Sequence, residues 1–428
     1  MERKDFIRGA AILAASGLFF KANAGVFAQG ETIKVGLIGV KGMGWSNLNA
    51  ILKQANVQCT ALCDVDENIL DQRIAELKKR DIAVKRFIDY KELLANDIVD
   101  AVIIGTPDHW HCLQMVDAVK AGKHVYVEKP IGNSIRECEI MVAVAQQYNS
   151  IVQVGQWQRS QQHFKDAIDF VHSGKLGKIR LVKAWAYQGW MKSVPVKPDE
   201  AVPAGVHYDQ WLGPAKKRPF NPNRFHFDFR WFWDYAGGLM TDWGVHMLDY
   251  ALQGMKVSDP ASVMAAGGKF AYPEDAAETP DTLTTVFEFD DFNIQWEHGN
   301  GIDLGPHERD HGVSFIGNNG TLVLTRNGWE VIPEGNRMQA VDWQKSQDDG
   351  LDKHMENFVQ AIRRRDRSLL NAPIEAGAHI AIFSQMGNVA YRTGKKLYWD
   401  KKNRKFTDKE ANRYVVTQYH NGYKLPQV

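Results

Sequence analysis

Ile33-Lys34-Val35-Gly36-Leu37-Ile38-Gly39-Val40-Lys41-Gly42-Met43-Gly44 decides the fold. Ile33–Val40 is an apolar run that stops at a glycine-rich turn, the pattern of a strand buried on both faces of a parallel sheet. A helical pattern follows from about Met43 to Gln54, and Val57–Val65 reads as a second buried strand. Strand, turn, helix and strand in that order open an α/β sheet.

The same alternation continues outward. Glu67–Arg80 is helical, with Ile69, Leu70, Ile74 and Leu77 on one face. A short strand near Val84–Ile88 precedes a helix over Lys91–Leu94, and Asp100–Gly105 and His124–Val127 are further strands. Thr106-Pro107 reads as a cap residue followed by proline at the first helical position. Ser134-Ile135-Arg136-Glu137 is a capping box for a helix running to about Tyr148. Such spacing predicts a right-handed, doubly wound parallel sheet.

Beyond Val152 the pattern changes. Ile179–Gln188, Ala261–Phe270, Thr282–Glu297 and Val313–Val331 are β-rich. Asp290-Asp291, Asn318-Asn319-Gly320 and Arg326-Asn327-Gly328 supply the hairpin turns between them. These stretches predict an antiparallel sheet, hence a second domain of α+β type. Helices near Leu351–Arg365 and Glu375–Thr393 follow, and Arg363-Arg364-Arg365 reads as a solvated helix end. The expected division is an export segment over 1–28, a nucleotide domain over 31–150 and a second domain over 151–428.

Chemistry enters at the first turn. Gly39, Gly42 and Gly44 follow the glycine pattern of a dinucleotide-binding strand–turn–helix, with the middle glycine displaced and Lys41 in its place. Glycine lets backbone N–H groups approach a pyrophosphate at the helix N-terminus. Asp64 ends the second strand 20 residues after Gly44, where a carboxylate accepts hydrogen bonds from ribose hydroxyls. It would repel a 2′-phosphate, and Val65 follows it rather than arginine, so NAD is favoured over NADP.

Composition sets the outer bounds. The chain has 428 residues, 44% hydrophobic and 24% charged, with net charge +1. That balance gives no electrostatic case for nucleic acid or an anionic membrane, and no apolar run reaches the roughly 20 residues of a membrane-spanning helix. Residues 1–28 place Arg3, Lys4 and Arg8 before an apolar stretch from Gly9 to Phe20 and small residues at Ala22-Asn23-Ala24. This is the order of an export signal, and Arg3-Lys4-Asp5-Phe6-Ile7-Arg8 resembles the twin-arginine type with lysine at the second arginine. A periplasmic or secreted protein is expected. Cys59, Cys63, Cys112 and Cys138 are too few for a disulfide scaffold and lack metal-ligand spacing. They read as small buried side chains, and no metal is expected.

Three later motifs make the chain recognisable. Thr106-Pro107-Asp108-His109-Trp110-His111, Ala121-Gly122-Lys123-His124-Val125-Tyr126-Val127-Glu128-Lys129-Pro130, and Gly237–Asp249 with its Asp242 and His246 occur in that order. Together they resemble the Gfo/Idh/MocA family, relatives of glucose–fructose oxidoreductase and inositol 2-dehydrogenase, from Ile33 to about Thr407. The resemblance implies an N-terminal Rossmann domain, a C-terminal domain with an open, mostly antiparallel sheet, and bound NAD(P). It also implies hydride transfer at a sugar or polyol carbon, with Lys129, Asp242 and His246 as catalytic positions. Asp242 and His246, four apart in a helical stretch, share one face and could hydrogen-bond. An imidazole titrating near neutrality suits removal of a hydroxyl proton. Lys129 at a strand end could stabilise the developing alkoxide.

Other assignments follow more loosely. Thr106, Pro107, His111, Glu128 and Lys129 are expected to line the nucleotide site, His111 near the nicotinamide. Arg159 matches a family arginine, with a structural ion pair as the other reading. Six of 13 tryptophans fall within residues 185–243, and Phe225–Tyr235 interleaves aromatics with Arg224, His226, Asp228 and Arg230. That mixture suits either a sugar ring or a packed core. An exported NAD enzyme has no exchanging nucleotide pool, so it should keep its cofactor and recycle it. Two mechanisms do so: coupled oxidation and reduction of sugars, or a glycosidase that oxidises, eliminates and reduces. A metal-dependent hydrolase using Asp242, His246 and Asp249, and a non-catalytic binding protein, are further readings. A homo-oligomer is expected by analogy with relatives.

Overall fold

A computed structural model describes residues 30–428; the export signal expected over 1–28 lies outside them. Strands β1 (Ile33–Ile38), β2 (Val57–Cys63), β3 (Lys85–Phe87), β4 (Ala101–Ile104), β5 (His124–Val127) and β6 (Val152–Val154) form one sheet in the order β3-β2-β1-β4-β5-β6. Every pair is parallel. The order reverses between β1 and β4, where ligands of such sheets bind. β1, β2 and β4 read as apolar runs because helices cover both sheet faces. Ile33, Val35 and Leu37 pack in one core with Phe358 and Ile362, while Ile38, Val102 and Ile104 pack in another with Met115 and Met141.

Caps set the helix starts. Asp66 accepts from the Asn68 N–H to begin the helix Glu67–Lys78, and Ser134 accepts from Glu137 N–H to begin Ile135–Gln147. Glu137 reaches back past the cap residue and accepts from the Asn133 N–H. One reading is corrected: Pro107 is the extended cap residue itself, before the helix Asp108–Lys120. The Thr106 hydroxyl caps nothing and donates to Gln114 Oε1 at 2.6 Å.

The second sheet has ten strands: β7 (Ile179–Gln188), β8 (Ser262–Gly268), β9 (Thr282–Glu288), β10 (Asn293–Asn300), β11 (His311–Gly317), β12 (Gly320–Thr325), β13 (Gly328–Pro333), β14 (Val341–Lys345), β15 (Leu397–Asp400) and β16 (Lys405–Phe406). Their order is β14-β13-β12-β11-β7-β10-β9-β8-β15-β16. All pairs are antiparallel except β7 with β10, which run parallel from Leu181↔Asn293 to Gln188↔Asn300. A hairpin cannot make that pair; the long excursion after β7 returns the chain to the same end. The helices Gly244–Met255 and Ile374–Thr393 join this sheet to the first lobe, and Phe287 stacks on Phe383 at 3.9 Å between ring centres. The helix Gly350–Arg364 turns back onto the first sheet, where Phe358 meets Tyr126. All four cysteines are buried and unpaired. The Arg363 guanidinium donates to the carbonyls of Glu31, Ala55 and Asn56, so this part of the basic run ties the helix end to the chain entering β1 and β2 rather than being only solvated. No helix among the described residues is long and apolar enough to cross a membrane.

Candidate active site

The glycine turn is a contact between three backbones. Gly39 has φ +85°, and a Cβ there would lie 2.7 Å from the Gly105 carbonyl carbon. A Cβ on Gly44 would lie 2.1 Å from Gly39 O, and one on Gly105 2.6 Å from Gly44 Cα. Gly105, the third member, was missed in the sequence; its signal is a glycine ending β4 just before Thr106-Pro107. Gly42 faces open space at φ +52°. Lys41 caps the helix Gly42–Ile51 without a side-chain bond, leaving first-turn N–H groups beside the cavity lined by Gly39, Lys41, Gly42 and Met43. This cradle fits a dinucleotide pyrophosphate.

That cavity, of about 280 Å³, runs from the turn to the second lobe and is also lined by Asp64, Thr106, Pro107, His111, Glu128, Lys129, Arg230 and Asp242. Asp64 accepts from the N–H groups of Val40 (2.8 Å) and Asp66 (3.0 Å), which fix its carboxylate at the strand end. Burial still lifts its pKa to about 6, against those bonds. Glu128 accepts from Asn47 Nδ2 at 2.8 Å, tying β5 to the helix after the turn; burial raises its pKa too. His111 sits with Nδ1 2.7 Å from Pro130 O and Nε2 2.7 Å from Thr106 O. Burial lowers its pKa to about 4, against the pull of both carbonyl contacts. The ring thus spans the ends of β4 and β5.

Across the cavity, Lys129 Nζ lies 2.7 Å from Asp242 Oδ1 and donates to Asp242 O at 3.1 Å. Arg230 Nε reaches the same Oδ1 at 3.4 Å. Burial would raise the Asp242 pKa, but Lys129 and Arg230 outweigh it and hold the carboxyl at about 2. The expected Asp242–His246 bond is not made. Their helical stretch breaks at Trp243, with one helix ending at Asp242 and the next starting at Gly244, and the two cations take the carboxylate. His246 is buried with Nδ1 unpartnered and lies outside the cavity lining. Burial, then Arg326, Lys129 and His311, push its pKa well below the ordinary value, so the ring is neutral rather than titrating near neutrality.

Asp249, on the same helix, is bidentate with Arg159; the ion-pair reading of Arg159 is the one realised. Asp242 and Asp249 are thus both held by cations, and no metal-ligand group of His, Cys, Asp and Glu forms among the described residues. Asp108, in the Thr106–His111 motif, lines the cavity beside these charges. Burial, opposed by Arg230 and Lys129 and reinforced by Asp242, lifts its pKa to about 8. Most of the aromatic run packs together, Trp211, Phe220, Phe225, Trp231, Phe232 and Tyr235 forming one cluster whose Trp211 and Phe225 also line the cavity. Trp190 and Phe227 remain exposed, with the Arg230 guanidinium 4.6 Å from the Phe227 ring centre.

A parallel nucleotide lobe, an open mostly antiparallel lobe and a lysine–aspartate pair where they meet define a two-domain, dinucleotide-dependent class of protein. Residues 33–156 match the family model described as the NAD-binding Rossmann fold of the GFO_IDH_MocA oxidoreductase family, and residues 178–425 match its C-terminal alpha/beta domain. The chain belongs to this family, and its first domain is an NAD-binding one. It is 31% identical over 121 residues to glycosyl hydrolase family 109 protein 1 of Shewanella sp. (strain ANA-3) and to an alpha-N-acetylgalactosaminidase of Shewanella oneidensis. Those matches span 27% of this chain and 26% of each relative, so the chain covers about a quarter of the curated relatives' length. Levoglucosan dehydrogenase, solved with NADH and levoglucosan, superimposes with TM-score 0.65 at 15% identity over 86% of this chain and 99% of that one. Aldose-aldose oxidoreductase from Caulobacter crescentus gives 0.64 at 16% identity, over 86% and 100%. At such identities these structures establish the fold.

Proposed function

We propose that the protein is an NAD-dependent oxidoreductase acting on a hydroxyl of a sugar, polyol or glycoside, with the nucleotide held tightly and recycled. The Lys129–Asp242 pair carries this reading, because it sits in the same cavity as the glycine cradle and Asp64. Gly39, Gly42, Gly44 and Asp64 would hold the nucleotide, with Glu128 and His111 fixing the strand ends around it. Bound NAD supplies a hydride acceptor. The ionised Asp242 holds the Lys129 ammonium toward the cavity, where its charge stabilises an alkoxide forming on the substrate. In this reading His246, a neutral imidazole buried behind the cavity lining, takes the hydroxyl proton once substrate binding brings the hydroxyl to it.

The charged and apolar order of residues 1–28 supports export, and export supports a closed redox cycle. Association of copies through the open sheet is part of the same reading, checked by light scattering. The main test is to purify the full chain, denature it and identify the released nucleotide. Tightly held NAD(H) that sugars reduce and a carbonyl acceptor reoxidises supports the proposal; a chain without nucleotide refutes it.

The match to the family 109 proteins favours a second reading, a glycosidase. Transient oxidation of a glycoside hydroxyl acidifies the neighbouring C–H, and the aglycone leaves by elimination before the ring is reduced again. Release of a chromogenic aglycone without added NAD selects this reading; formation of a keto-sugar without cleavage selects the first.

A further inference from the structure

Arg326 sits at the hairpin turn between β12 and β13, where an arginine would ordinarily extend into solvent. Here its guanidinium lies 4.3 Å from the Trp243 ring centre and 5.2 Å from that of Trp157. Its Nε is buried without a hydrogen-bond partner, and no carboxylate among the described residues pairs with it. The acids within its electrostatic reach are already committed. Asp242 is held by Lys129 and Arg230, and Asp310 lies 2.8 Å from His311 Nδ1. Indole faces hold the cation in place, but they do not satisfy N–H donors in its plane. Buried cations are ordinarily paired.

Two further polar groups beside it are also unsatisfied. His246 Nδ1 and the Tyr250 hydroxyl are buried without partners, and both sense the Arg326 charge. Arg326 lies over the Trp243 ring that His246 also approaches, so its Nε, the imidazole of the proposed base and the Tyr250 phenol form a cluster of unpartnered polar groups that a ligand could satisfy. The guanidinium fork presents parallel donors to a planar carboxylate, a match that a single hydroxyl does not give.

We propose that Arg326 recognises a carboxylate on the carbohydrate, so that the substrate is an acidic sugar, a uronate or aldonate, rather than its neutral parent. This rests on the oxidoreductase reading and narrows it. The phenol and imidazole then meet hydroxyls of the same ring. Arg326 acts as a specificity residue, setting which sugar is held while Lys129 and His246 act on the hydroxyl.

The test uses the full chain with its bound nucleotide and the pairs glucuronate/glucose, galacturonate/galactose and gluconate/sorbitol. Calorimetry measures binding, and reduction of the bound nucleotide measures turnover. For at least one pair the acid is expected to be favoured by about tenfold or more in each. Arg326→Gln should bring that ratio near one, and Arg326→Lys, which keeps the charge but loses the fork, should fall between. Acid and neutral sugars bound equally, no sugar bound, or a preference untouched in Arg326→Gln would each overturn the inference. So would binding of glucose 6-phosphate with none of the carboxylates, which makes the anion a phosphoryl group. Acid-selective, Arg326-dependent binding without reduction of the nucleotide supports the subsite and refutes the oxidoreductase reading, so the two fail separately.

Discussion

Asp108 and Asp242 place two carboxyl groups on one cavity with opposite protonation. Asp242 has Lys129 and Arg230 in direct contact and stays ionised; Asp108 feels the same cations without touching them and, buried, remains an acid up to about 8. From the ordinary value of 3.8 up to about 8, folded Asp108 keeps a proton that the unfolded chain has lost. Stability therefore falls as pH rises through that window and levels off above it. Asparagine carries no such proton. The Tm of Asp108→Asn relative to the parent should rise by on the order of a few degrees between about pH 5 and pH 8. A difference that stays constant over that range would show Asp108 to be an ordinary ionised aspartate. Lys129 is tested by activity. Removing its ammonium in Lys129→Met should lower turnover by about 10²–10³ while nucleotide stays bound, since Gly39, Gly44 and Asp64 are untouched. Turnover within about threefold of the parent would remove Lys129 from the chemistry. Both roles were partly legible: Lys129 from its motif at a strand end, Asp108 only as a letter within one. Its neighbours Arg230 and Asp242 lie more than a hundred residues away, so the environment that shifts its proton was not readable locally.

At the scale of elements, the glycine turn shows what sequence patterns carry well. β4 is apolar and buried throughout, and β1 and β2 are apolar apart from Lys34, Gln58 and Thr60 near their starts, while the turn glycines are forced by backbone contact rather than by flexibility alone. In Gly44→Ala the new methyl meets the Gly39 carbonyl at 2.1 Å, and neither partner has a side chain to rotate away. A loss of about 3 kcal/mol in stability and of bound nucleotide is expected. Gly42→Ala meets nothing and pays only the left-handed backbone strain, about 1–2 kcal/mol. Denaturant unfolding of both variants decides; equal losses would mean that strain, not contact, governs the turn. The break at Trp243 is hard to read because Thr241, Val245 and Leu248 keep helical spacing across it. Gly244 alone hinted at it. The parallel β7–β10 pair was likewise invisible, since strand direction depends on how the chain returns after an excursion, which local alternation does not encode.

The whole molecule is closed by a segment with no regular structure and little sequence signal, the last residues of the chain. Tyr419 donates to Glu137 Oε1 at 2.7 Å on the first lobe, and the Asn421 amide donates to the carbonyls of Gly213 and Ala215 at 2.8 Å on the aromatic segment. Tyr423 packs edge-on to Trp110 at 5.4 Å and lines the cavity near Tyr90 and Lys91. The tail thus fastens the aromatic cluster to the nucleotide lobe and forms part of the cavity wall. A long-lived nucleotide complex requires that wall to stay shut, because slow release reflects a barrier to opening rather than contact area alone. Ending the chain at Val415 should therefore speed nucleotide release by about tenfold or more, with a smaller effect for Tyr423→Ala, which opens the wall but keeps the Tyr419 and Asn421 ties. Loss of nucleotide from the purified protein, followed by dilution into a scavenging dehydrogenase, gives both rates. If the shortened chain keeps its nucleotide as long as the intact one, the tail is packing alone, and retention resides wholly in the glycine cradle and Asp64.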